Sequence, residues 1–133
     1  MSAGRTPREA GKEEQRGRWR KAQQFADVCE LIESDATVDG QLSDAYVTLA
    51  VHSGIASADV ICIGVLARYW ANGSHDQAAA LLETVDKGAA NQLRRLLGLK
   101  TKAGYTHTPA SSADVKAAAT AHRSLLDAAR KRL

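Results

Sequence analysis

From Trp19 onward, apolar side chains recur three and four residues apart: Trp19, Ala22, Phe25, Ala26, Cys29 and Ile32. That is the period of an amphipathic helix. A turn is expected over residues 35–40, with Asp39-Gly40 as its breaker pair. The next helix is predicted from about Leu42 to Ala71. One apolar stripe passes through Tyr46, Leu49, Ser53, Ala56, Val60, Ile63, Ala67 and Trp70. A second, through Ala45, Thr48, Ile55, Cys62 and Leu66, flanks it, so this helix is expected to be buried on more than one face. Small residues at its middle (Gly54, Ala56, Ser57, Ala58 and Gly64) allow neighbouring backbones to come close. It is the expected centre of the fold.

Asn72-Gly73 reads as the C-terminal cap of that helix. Ser74 followed by Gln77 forms a capping box for a third helix, His75 to about Asp86, which is expected to stop at Gly88. A fourth, Ala89 to about Thr101, places Leu93, Leu96 and Leu97 on one side and Arg94 and Arg95 elsewhere. Residues 104–109 read as an exposed turn. Ser111 or Ser112 caps a last helix to Arg132, with Val115, Ala119, His122, Leu125, Leu126 and Ala129 as its inner face. The fold class is therefore all-α, an antiparallel bundle of four to five helices joined by short connections. Residues 1–17 carry no apolar period and are expected as a flexible basic tail, leaving 18–133 as one helical domain.

Composition agrees with helices. Apolar residues make up 44% of the 133-residue chain and aromatic ones only 5%. A sheet would draw more on β-branched and aromatic side chains. No apolar run is expected to reach the roughly 18 residues that span a bilayer. The N-terminus lacks the apolar core of a secretory leader, which points to the cytoplasm and to no membrane partner. Cys29 and Cys62 lie within helical apolar patterns and read as buried thiols, with a disulfide as the alternative.

The net charge of +3 conceals a division along the chain. Residues 1–21 hold seven Lys/Arg against three acids, residues 22–86 hold Arg68 against ten acids, and residues 87–133 hold ten Lys/Arg against two acids. The basic ends are suited to a phosphate backbone, or else to neutralising the acidic middle within one bundle.

The small-residue middle of the second helix, its end Arg68-Tyr69-Trp70, and the start His75-Asp76-Gln77-Ala78 resemble the HEPN superfamily of helical nucleotide-binding and RNA-cleaving domains, of actinobacterial type. The later stretch LLGLKTKAGY, with Pro109 and a final helix from Ser112, is similar to the same group. The resemblance covers about Trp19 to Leu133. It implies a metal-independent ribonuclease of toxin or stress-defence type, without cofactor, working as a homodimer on RNA and answering to a cognate antitoxin or partner protein. Its alternative is a non-catalytic helical scaffold or nucleotide- or nucleic-acid-binding module.

Active members carry an Arg, four to six residues, then a His. Here Arg68 and His75 have six residues between them. The later counterpart is Lys102 with His107, where lysine replaces the planar guanidinium fork. A neutral imidazole can take the 2′-hydroxyl proton as that oxygen attacks phosphorus, and a cation can stabilise the phosphoryl charge. The resemblance thus points to Arg68, His75, Lys102 and His107 as catalytic candidates. Some members add a Tyr two residues beyond the His, where this chain has Pro109. Arg94, Arg95, Lys100 and Tyr105 are the candidate nucleic-acid contacts, with a solvated helix face as the plainer reading of the two arginines. His52 reads as an interior or interface histidine, and Tyr69-Trp70 as core or dimer interface before a base-stacking platform. No glycine-rich phosphate loop, zinc-type cysteine spacing or nucleophile elbow is present.

Overall fold

The middle of the second helix is buried almost all round, and that one fact organises the molecule. In the computed structural model, which describes residues 6–35, 40–71 and 74–133, the elements run β1 (Arg8–Glu9), α1 (Lys12–Ser34), α2 (Ser43–Leu66), β2 (Arg68–Tyr69), α3 (His75–Glu83), α4 (Lys87–Tyr105) and α5 (Ser112–Arg130). Helix α2 packs against α1, α3, α4 and α5, while α3 and α5 also pack on α4. The chain is an all-α helical bundle with one two-stranded ribbon. Tyr46, Val47, Val51, Val60 and Ile61 from α2 meet Leu82, Leu93, Leu96 and Leu125 in the core.

Small residues let α2 serve so many neighbours. A side chain added at Gly54 would collide with Leu96 of α4 and crowd Leu125 of α5. At Gly64 a Cβ would lie 2.7 Å from Gln15 Nε2 and 2.9 Å from the Arg132 carbonyl. The Ser53 hydroxyl donates to the Ala22 carbonyl of α1 at 2.9 Å, satisfying a polar group inside the core. By length and composition α2 is apolar enough to cross a membrane, contrary to expectation, but 67% of its apolar window is buried inside the fold.

Two boundaries differ from the sequence reading. Residues 12–17, expected in the tail, form the first turns of α1. Gly11 N–H donates to Glu14 Oε2 at 2.9 Å, and Glu13 and Glu14 suit the positive end of the helix. Gln15 is buried, donating through Nε2 to the carbonyls of Val60 at 3.2 Å and Arg132 at 2.9 Å. These contacts are polar, so an apolar period does not register them. Helix α2 ends at Leu66, short of the expected Ala71. Ala67 turns left-handed at φ 55° while its N–H donates to Ile63 O at 2.9 Å. That conformation costs a non-glycine residue about 1–2 kcal/mol. It is offset where the chain then pairs with β1, Arg8 opposite Tyr69 and Glu9 opposite Arg68, with Ala10 N–H donating to Ala67 O at 2.9 Å.

The later caps follow the sequence more closely. Ser74 accepts from Asp76 N–H at 3.0 Å and its own N–H donates to Gln77 Oε1 at 3.3 Å. Helix α3 stops at Glu83, before the expected Asp86, because Asp86 is already the cap of α4, accepting from Ala89 N–H at 2.9 Å. Gly88 therefore lies inside α4, which runs on to Tyr105 and takes in Gly104 from the expected turn. Ser111 caps α5, accepting from Asp114 N–H at 3.1 Å. Both cysteines are buried free thiols, each pushed up to about 12 by burial first of all. The expected cap Asn72-Gly73 lies outside the described residues.

Candidate functional site

The end of β2 and the start of α3 line a groove of about 270 Å³. They contribute Tyr69, Trp70, Ser74 and His75 to its lining, and Arg18 of α1 with His52, Ile55 and Asp59 of α2 line it too. Helical spacing explains the second set. His52, Ile55 and Asp59 stand three and four residues apart, on one face of α2 that the groove leaves partly open.

At the back of the groove Arg18 Nε donates to Asp59 Oδ2 at 2.8 Å. The side chain of Asp59 is 8% exposed and that of Arg18 27%, so the carboxylate is the inner partner. Burial pushes the Asp59 carboxyl up, to about 7, against the opposing pull of Arg18. At the mouth, His75 is half-buried and its pKa is lowered, first by burial and then by the charges of Lys100 and His52. A lowered histidine is neutral at neutral pH and holds a free lone pair. His52 is exposed rather than interior, with its ring 5.4 Å from that of Phe25.

The residues singled out by the Arg-then-His pattern are not assembled together. Arg68 is exposed in β2 and lines a different depression with Glu9, Gly11 and Glu14, while His75 faces the groove. The expected last-turn position of Arg68 is lost because α2 has already ended. Lys102 lies within α4 and donates to Asp114 Oδ2 at 2.8 Å, a contact that holds Asp114 down at about 2. His107 and Tyr105 are exposed beyond it, Tyr105 by 75%. Arg94 is committed to Glu83 at 3.0 Å, and Arg95 is exposed on the outer face of α4. Of the four nucleic-acid candidates, Lys100 is the one whose charge is felt at His75.

Arg18, His52 and Asp59 are thus the groove residues that sequence reasoning missed. Arg18 fell at the edge of a supposed tail, and no spacing rule links residue 18 to residue 59. Tyr69 and Trp70, read first as core or dimer interface, are half-buried walls of the groove. A separate polar cluster lies between α1, α2 and α5. The Tyr46 hydroxyl donates to Glu33 Oε1 at 2.8 Å, Arg123 also reaches Glu33, and His122 Nε2 is 3.4 Å from the same hydroxyl. Its members tie helices together, and His122 Nδ1 is sealed away from solvent.

Among the described residues no group of three or more His, Cys, Asp or Glu side chains is placed to hold a metal ion. Comparison with protein-family models, curated proteins and solved structures finds no match for this chain.

Proposed function

We propose that the chain is a HEPN-like domain that binds RNA in the groove between α1, α2 and α3 and cleaves it there without a metal. The observation that carries this reading is the convergence of two imidazoles, His52 and His75, with Tyr69 and Trp70 on one groove. Neutral His75 takes the proton from a ribose 2′-hydroxyl as that oxygen bonds to phosphorus. The bond from phosphorus to the 5′-oxygen breaks, and His52 in its protonated form delivers a proton to that leaving oxygen. The products are a 2′,3′-cyclic phosphate and a free 5′-hydroxyl. Trp70 and Tyr69 offer a base a flat apolar surface, which every base can use. The cellular setting that goes with this reading is cytoplasmic, toxin-type or stress-defence, as a homodimer controlled by a partner protein.

A second reading, a non-catalytic nucleotide- or nucleic-acid-binding module, is favoured by the placement of Arg68 and Lys102. The first stands outside the groove and the second is neutralised by Asp114. One experiment separates the two readings: incubation of purified protein with total cellular RNA in EDTA, beside His52→Ala, His75→Ala and His107→Ala. Cleavage lost in the first two variants and kept in the third supports the ribonuclease. Intact RNA in every lane, with the protein folded, moves the assignment to the binding module.

A further inference from the structure

Arg68, where the Arg-then-His pattern places a guanidinium, stands outside the groove, whereas Arg18 of α1 lines it. Arg18 uses Nε for its 2.8 Å bond to Asp59, and among the described residues neither of its terminal nitrogens has a hydrogen-bond partner. The guanidinium is planar, so fixing Nε against a carboxylate that is itself 8% exposed sets the direction of the two remaining nitrogens. Arg18 is the more exposed partner and lines the groove that also holds His52 and His75. Ser74, at the amino end of the nine-residue helix α3, lines it too, and Lys100 is near enough to be felt at His75. A helix amino terminus and a second cation reinforce a site for negative charge.

We propose that Arg18 is the phosphate-binding residue of this groove, gripping phosphate oxygens with its two terminal nitrogens while Asp59 holds it by Nε. The ligand is the phosphodiester of RNA, and free phosphate shares the chemistry. This deepens the reading of the groove given above and rests on it for the identity of the substrate. Asp59 acts as a positioning residue, since it reaches the ligand only through Arg18. Lysine cannot replace Arg18 here, because an ammonium occupied by Asp59 has no rigid fork left to present.

The test is titration of the full chain with inorganic phosphate, followed by the side-chain NMR signals of His52, His75 and the Arg18 guanidinium. Saturable shifts of all three signals are expected in the wild type. Arg18→Lys, with its helical signal and melting temperature checked, is expected to weaken phosphate binding by about tenfold or more. Absence of any shift at the Arg18 guanidinium in the wild type overturns the proposal without recourse to a variant. So does a folded Arg18→Lys that binds phosphate as the wild type does. The RNA assay separates this from the broader reading. Intact RNA together with Arg18-dependent phosphate binding sinks cleavage and leaves Arg18 standing. Cleavage that persists in Arg18→Lys at unchanged KM sinks Arg18 and leaves cleavage standing.

Discussion

Arg18 of α1 and Asp59 of α2, 41 positions apart in the chain, meet at 2.8 Å behind the groove. A partly buried pair of this kind is not a reliable source of stability, because its carboxylate must leave water to form it. In this protein the inner carboxylate bears most of that cost, which is why its pKa rises despite the guanidinium beside it. The pair fixes a cation at the back of the groove more than it holds α1 to α2, a task already met by Ser53 and the apolar core.

A pH dependence follows from Asp59. Its folded-state pKa, raised to about 7 from 3.8, means the folded chain holds a proton that the unfolded chain releases between those values. Stability is therefore expected to fall as pH rises through that window, then to level off above it. Thermal melts of wild type and Asp59→Asn from about pH 4 to pH 8 check this, since the asparagine variant lacks that slope. Parallel curves would show that the carboxyl titrates as it does in the unfolded chain.

Two glycines in helices should respond in opposite senses to alanine. Gly64→Ala places a Cβ 2.9 Å from the Arg132 carbonyl and 2.7 Å from Gln15 Nε2, so the junction of α1, α2 and the C-terminus must shift. A loss of about 1–3 kcal/mol is expected. Gly98→Ala in α4 meets nothing within 4 Å and should gain roughly 0.5–1 kcal/mol from helix propensity alone. Urea unfolding of both variants decides it.

Tyr46 is 1% exposed and its hydroxyl serves Glu33 as donor while lying 3.4 Å from His122. Tyr46→Phe keeps the ring and removes the link, so it is expected to cost about 1–3 kcal/mol. The same variant should leave RNA binding unchanged, because this cluster lies apart from the groove. Chemical denaturation and a gel-shift assay on one preparation test both halves.

Lys102→Gln breaks a partly exposed ion pair with Asp114. Its stability cost is expected to be small, because solvent screens an exposed pair. RNA cleavage and binding by Lys102→Gln and by Arg68→Gln are expected to match the wild type, whereas His75→Ala abolishes cleavage. A large loss in either cation variant would return the catalytic role to the sequence pattern.

Both cysteines are buried, with thiols pushed up to about 12. Alkylation of the native protein is therefore expected to be slow at neutral pH and rapid in denaturant. Mass spectrometry of a timed iodoacetamide reaction measures the contrast.

The sequence by itself determined the elements whose signals are local. The period from Trp19 to Ile32, the apolar stripes of the second helix as far as Leu66, and the caps at Ser74 and Ser111 each depend on residues within a turn or two of one another. So does the burial of His122, read from its place on an inner face. The tertiary structure alone decided the rest. Where the second helix stops depends on β1, which arrives from the other end of α1 to pair with Arg68-Tyr69. Whether Gln15 belongs to a tail or to the core depends on two carbonyls, of Val60 and Arg132, that no pattern links to it. Spacing puts Arg68 and His75 near each other in the chain, yet the left-handed turn at Ala67 and the ribbon send one outside the groove and leave the other at its mouth. That Arg18 lines the same groove as His75 is settled by the packing of α1 on α2, because a side chain's neighbours across helices are set by how faces meet and not by its neighbours in sequence.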